Sequence, residues 1–163
     1  MYEIEQKFLY NRLPNADLKF LEHTVVYRQY LSIEPEIRIN RRVFKNGEER
    51  YHLTIKSDKS DIHLLRRETK IQLSENQYFE ILEINDESDL VIDIYEYQID
   101  ANHSISFKEC RGVDIKFAEI EYLDLNDYQH MQRYISKWDF LGKEVTKNDD
   151  FYVKNIWRRF CGK

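Results

Sequence analysis

Tyr2-Glu3-Ile4-Glu5-Gln6-Lys7-Phe8 opens the chain with strict alternation. Glu3, Glu5 and Lys7 fall on one side of an extended segment, and Tyr2, Ile4, Gln6 and Phe8 fall on the other. This period of two is the mark of a half-buried strand. The pattern returns along the chain. Residues 37–43 set Arg38, Asn40 and Arg42 against Ile37, Ile39 and Val43. Residues 51–56 set His52, Thr54 and Lys56 against Tyr51, Leu53 and Ile55. Residues 65–73 set Arg66, Glu68, Lys70 and Gln72 against Leu65, Thr69, Ile71 and Leu73. Residues 91–99 and 104–110 are further strands, and residues 117–122 set Glu119 and Glu121 opposite Ala118, Ile120 and Tyr122. Lys45-Asn46-Gly47-Glu48 predicts a hairpin turn with paired positive φ angles.

Helices are fewer. Residues 15–22, 75–84, 126–138 and 151–160 carry helical spacing, and Ser74 with Gln77 forms a capping-box pattern before the second. The expected architecture is mainly β (α+β): an antiparallel sheet of about seven or eight strands flanked by three or four helices. The 163 residues suit a single domain over 1–163. With 42% hydrophobic residues the chain can build a core, and 4 Gly and 2 Pro exclude low-complexity classes.

The net charge of −5 argues against a general nucleic-acid binder, so no nucleic-acid partner is expected. No apolar run approaches the ~20 residues of a membrane span, and the charged first residues do not suit an export signal. The expectation is a cytoplasmic protein without membrane association. Cys110 and Cys161 then read as free thiols.

The charge is unevenly distributed. Residues 36–70 hold ten Lys/Arg and six acids, whereas residues 71–107 hold nine acids and no Lys or Arg. The Glu3/Glu5 and Glu119/Glu121 pairs place like charges side by side on strand faces, which is costly in an enclosed space without a cation. Such oxygen donors suit Mg²⁺ or Mn²⁺. Arg38, Arg42, Lys56, Arg66 and Lys70 suit phosphate oxygens. If the sheet closes, these faces line a wet lumen equipped for metal-assisted phosphoryl transfer.

Glu3-Ile4-Glu5-Gln6-Lys7 resembles the ExExK signature of the triphosphate tunnel metalloenzymes, the CYTH domain superfamily. Further matches follow in family order: Glu36-Ile37-Arg38, Thr54-Ile55-Lys56, Arg67-Glu68, Ala118-Glu119-Ile120-Glu121-Tyr122, and Leu141-Gly142-Lys143-Glu144-Val145-Thr146. The resemblance implies an eight-stranded antiparallel β-barrel tunnel with flanking helices. It also implies Mg²⁺- or Mn²⁺-dependent hydrolysis of a triphosphate, most simply inorganic tripolyphosphate. By that resemblance Glu3, Glu5, Glu119 and Glu121 are metal candidates, and Lys7, Arg38 and Lys56 are phosphate-binding candidates. Arg42, Arg66 and Lys70 join them on chemistry. Glu5, Lys56 and Glu121 are the catalytic candidates, and Glu68 matches an acidic tunnel position.

The chain departs from the family pattern at several positions. Asn40 stands where the family has a second arginine, and Lys70 where it has an acid. Ile94 and Glu96 stand in place of a Lys-x-Arg strand, and Lys108 in place of an acid. A Glu96–Lys108 pair is the expected exchange. The expected partner is a triphosphate-containing small molecule, with a homodimer left open. A non-catalytic module for a phosphorylated ligand and a class IV adenylate cyclase are the alternative functions.

Overall fold

The computed structural model describes residues 2–57 and 65–163, and their side chains except those of Tyr2, Glu3 and Leu65. Lys59 and His63 lie outside the described residues. Nine strands are present: β1 (Tyr2–Tyr10), β2 (Lys19–Ser32), β3 (Glu36–Phe44), β4 (Glu49–Lys56), β5 (Leu65–Leu73), β6 (Leu90–Gln98), β7 (Ser104–Cys110), β8 (Ile115–Tyr122) and β9 (Leu141–Glu144). Three α-helices accompany them: α1 (Glu75–Ile84), α2 (Leu125–Ile135) and α3 (Val153–Phe160). None is long and apolar enough to cross a membrane.

The strand order is β5-β4-β3-β2-β6-β7-β8-β1-β9, and every pairing is antiparallel. β1 also pairs with β5, at Tyr2↔Arg67, Glu3↔Arg66 and Ile4↔Leu65. Eight strands therefore run round a ring. The same edge of β1 then turns to β9 at Phe8 and Tyr10. Between these two partners the Lys7 amide donates to Thr146 Oγ1 (3.0 Å), and the Val145 amide donates to the Lys7 carbonyl (2.8 Å). The Leu141–Thr146 segment thus fills the seam left by the short β1–β5 pairing.

Closure gives each strand an inner and an outer face. Ile4, Phe8, Ile105, Phe107 and Ile120 face outward and form one core with Met131 and Ile135 of α2. Ile39 and Tyr51 pack with Tyr78 of α1 in a second. The third core is unusual in its position. Val26, Tyr30, Ile94 and Phe117 share strand parity with Arg28, Glu96 and Glu119, and so face inward. Val153, Ile156 and Trp157 of α3 pack on them. The closing helix is thus seated in one end of the barrel, where Ile156 is 0% exposed and the Trp157 indole donates to the Ser88 carbonyl at 3.1 Å.

Several local expectations are met. Ser74 and Gln77 make a reciprocal capping box, and both cysteines are free. α2 begins after Asp124, whose side chain accepts from the Asp127 amide, and it ends at Ile135 rather than Trp138. The helix expected over residues 15–22 does not form. The Asp17 amide closes a turn on the Pro14 carbonyl (2.8 Å), Asn15 takes a left-handed φ of 44°, and β2 starts at Lys19. The β-branched and aromatic run Thr24-Val25-Val26-Tyr27 makes β2 the longest strand, at 14 residues. At the β3–β4 hairpin only Gly47 has positive φ (84°). Phe44 and Glu48 close a three-residue loop there rather than a two-residue turn.

His103 joins the β6–β7 turn to α2. Its Nδ1 lies 2.8 Å from Asp100 Oδ1, and its Nε2 lies 2.8 Å from Asp127 Oδ2. Burial opposes its charge, but the two carboxylates prevail and raise its pKa. A raised histidine contributes stability below its unfolded value of about 6.5, and loses it as pH rises through the folded value. The urea midpoint gap between wild type and His103→Gln should therefore be widest near pH ~5.5 and should shrink on moving toward pH ~8.5. A gap that grows with pH would refute the assignment.

Candidate active site

The inner face encloses a chamber of about 310 Å³. Among the described residues, ten basic side chains line it: Lys7, Arg28, Arg38, Arg42, Arg50, Lys56, Arg66, Lys70, Lys108 and Lys154. Five acidic ones do: Glu5, Glu36, Glu68, Glu119 and Glu121. A protein of net charge −5 therefore carries a lumen with a twofold basic excess.

Antiparallel register brings the first cluster together. β1 and β8 pair Lys7 with Glu119 and Glu5 with Glu121. β4 and β5 pair Lys56 with Glu68. The Lys7 ammonium contacts the Glu5 carboxylate and lies 3.4 Å from Glu119. Lys108 contacts Glu119 from β7. Lys56 Nζ lies 3.0 Å from Glu68 and 3.9 Å from Glu5. Burial penalises the Glu5 charge, but Lys7 and Lys56 outweigh it and hold this carboxyl below the usual range. Lys7 is likewise penalised by burial, yet Glu5 and Glu119 keep it charged, with a raised pKa. Burial also works against ionised Glu119, and Lys108 reverses the balance so that its pKa is lowered.

Glu121 behaves differently. It is open to the solvent of the tunnel and has no ion pair with any described residue. Burial of its carboxyl group by the surrounding wall and the neighbouring Glu119 charge raise its pKa.

The second cluster faces the first. Glu36, 3% exposed, receives Arg38 Nη1 at 3.1 Å and Arg66 Nη2 at 2.9 Å. Arg28 on β2 stands opposite Asn40 on β3, and its Nε donates to Asn40 Oδ1 at 2.6 Å. A guanidinium therefore reaches the wall at Asn40 after all, supplied by the adjacent strand. Burial and the nearby Arg38 charge lower its pKa. Arg38 Nε and Thr54 Oγ1 are buried with no hydrogen-bond partner among the described residues. His52 lines the chamber too, and burial with the Lys70 and Arg42 charges lowers its pKa.

A second chamber, about 860 Å³, shares Arg42, Glu68, Lys70, Glu119 and Glu121 with the first. Its own polar wall comes from β6, β7 and their turn: Glu96, Asn102, Ser104 and Ser106. The expected Glu96–Lys108 pair is not formed. Register sets Glu96 opposite Ser106 and Lys108 opposite Ile94. Glu96 accepts from Ser104 Oγ at 2.8 Å, while Lys108 turns to Glu119.

Of the candidates read from the sequence, Glu5, Lys7, Arg38, Arg42, Lys56, Arg66, Glu68, Lys70, Lys108, Glu119 and Glu121 converge on the inner chamber. Lys70 is the most open of them, 58% exposed and 3.7 Å from Glu68. Glu96 lines only the outer chamber. Glu3 pairs with Arg66 by backbone register, and its side chain lies outside the described part. Arg28, Tyr30, Glu36, Tyr152 and Lys154 were not anticipated. Strand alternation through Val26, Arg28 and Tyr30 is the signal that could have found two of them.

The Glu36 contacts make a stability prediction. Glu36→Ala leaves two buried guanidiniums without their carboxylate, and breaking such a pair costs roughly 3–5 kcal/mol. Urea unfolding should register a loss of that order, and a loss below about 1 kcal/mol would show that the pairs are not buried in solution.

No family model matches the sequence, and comparison with curated proteins gave no significant match. Solved structures do match. The inorganic triphosphatase NE1496 superposes with TM-score 0.61 at 19% identity, covering 95% of this chain and 93% of that one. A protein from Pyrococcus horikoshii OT3 gives TM-score 0.60 at 21% identity, covering 97% and 89%. A putative adenylyl cyclase from Hippeastrum with a dominant triphosphatase activity gives TM-score 0.56 at 12% identity, covering 83% and 86%. With the ring of eight strands and its charged lumen, these similarities show that the chain has the CYTH, or triphosphate tunnel, fold.

Proposed function

We propose that this protein hydrolyses a triphosphate with the help of a divalent metal ion. The observation that carries the reading is the basic inner chamber, inside an acidic protein, with the Glu121 carboxyl, unpaired among the described residues, where it meets the outer chamber. Two of the structural neighbours are described as having triphosphatase activity. Inorganic tripolyphosphate is the minimal substrate on this reading.

Glu121 and Glu119 would hold the ion, with Glu5 beside them. Oxygen-only donors fit Mg²⁺ or Mn²⁺. Desolvation by the surrounding wall and the Glu119 charge raise the pKa of Glu121, and a bound cation would oppose both. Among the described residues no three His, Cys, Asp or Glu side chains are grouped as an ion requires, since Lys7 and Lys108 draw Glu5 and Glu119 toward themselves. Glu119 would exchange a lysine on binding. A bound ion supplies charge neutralisation and polarisation of phosphoryl oxygens.

The chain's own residues do the rest. Lys56, Arg38 and Arg28 provide fixed positive charge for phosphate oxygens that gain charge in the transition state. Lys7 and Arg66 are locked by Glu5 and Glu36, so they offer oriented rather than mobile charge. A non-catalytic binding module is the second reading. The lysine ties on Glu5 and Glu119 favour it, because they occupy the same donors.

Phosphate release from tripolyphosphate and ATP, with Mg²⁺ or Mn²⁺ and with chelator, separates these readings. Turnover should stop with chelator. Glu121→Gln and Lys56→Ala should each lower kcat/KM by about 10²-fold. Wild-type rates in Glu121→Gln would overturn the metal assignment, and tight binding without product would select the module.

A further inference from the structure

The two chambers differ in chemistry, and the difference bears on what is attached to the triphosphate. The inner one is basic throughout its far wall. The outer one is larger, and among the described residues its own lining is a carboxylate, an amide and two hydroxyls, Glu96, Asn102, Ser104 and Ser106, beside Ile4, Tyr122 and Leu123. They add no positive charge. Glu96 is partly buried, and one oxygen accepts from Ser104 at 2.8 Å. Glu96 lines the cavity, and a carboxylate has acceptor sites beyond that one bond. Such a wall repels phosphate and receives hydrogen-bond donors.

We propose that the outer chamber binds an organic group esterified to the triphosphate. That group carries hydroxyl or amino donors that Glu96 accepts, so the substrate is an organic triphosphate rather than free tripolyphosphate. The inference rests on the triphosphate reading of the inner chamber. The two chambers meet at Glu68, Glu119 and Glu121, with Arg42 and Lys70 beside them, so the phosphate chain lies toward the inner basic wall and the organic group toward Glu96. Glu96 sets specificity, and the inner chamber supplies charge.

Equilibrium calorimetry in EDTA tests this without turnover, using tripolyphosphate, ATP and thiamine triphosphate. ATP presents sugar hydroxyls, and thiamine triphosphate presents a cationic ring and an amino group. Tripolyphosphate carries one more negative charge than ATP, so charge alone ranks it first in a basic tunnel. At least one organic triphosphate should instead bind about tenfold tighter than tripolyphosphate. Glu96→Gln should shrink that ratio about tenfold, and Glu96→Lys should reverse it, with thermal unfolding confirming that both variants fold. Which ester gains identifies the donor as hydroxyl or cationic. Tripolyphosphate binding best, with a ratio insensitive to both substitutions, overturns the proposal. Failure of all three to bind, both in EDTA and with Mg²⁺ in its place, overturns the triphosphate reading instead.

Discussion

Lys7 is 3% exposed, and its ammonium lies between the carboxylates of Glu5 and Glu119. A buried ion of either sign costs several kcal/mol, so each must be compensated in place. Closing a sheet into a ring puts several inward charges in this position. The lumen tolerates them because register sets Lys7 against Glu119 across β1–β8 and Lys56 against Glu68 across β4–β5, with Glu36 holding two arginines on the facing wall. The basic excess left after this pairing is what makes the interior attractive to a polyanion. Glu121, unpaired among the described residues, gives it a locally acidic point.

The alternation on β1, β3, β4, β5 and β8 was readable because period two survives any tertiary context in which one face is wet. The described inward residues on those strands, Glu5, Lys7, Arg38, Lys56 and Glu119 among them, do line the chamber. β2 was not legible in the same way. Asn15, Asp17, Leu18 and Leu21 imitate a helix start and stripe, yet the Pro14 turn and the β-branched run after Thr24 decide otherwise. Losing β2 meant losing Arg28, and so misreading Asn40 as a gap in the basic wall. The fate of Glu96 and Lys108 was equally hidden. Both face inward, but which carboxylate a lysine reaches depends on the stagger between strands, and that stagger leaves no trace in a single sequence.

α3 is the helix whose place in the fold its spacing does not reveal. Residues 151–160 carry helical spacing, and the helix packs against Val26, Ile94 and Phe117 within the barrel. With Val153, Ile156 and Trp157 packed there, one end of the cylinder is dry. Among the described residues the lumen is thereby stopped at that end. A guest entering from the opposite end would have to back out the way it came, so the piece lodged deepest would be the last to depart. Were the proposed hydrolysis to cut a guest there, this plug would impose an order of exit that the chemistry alone would not.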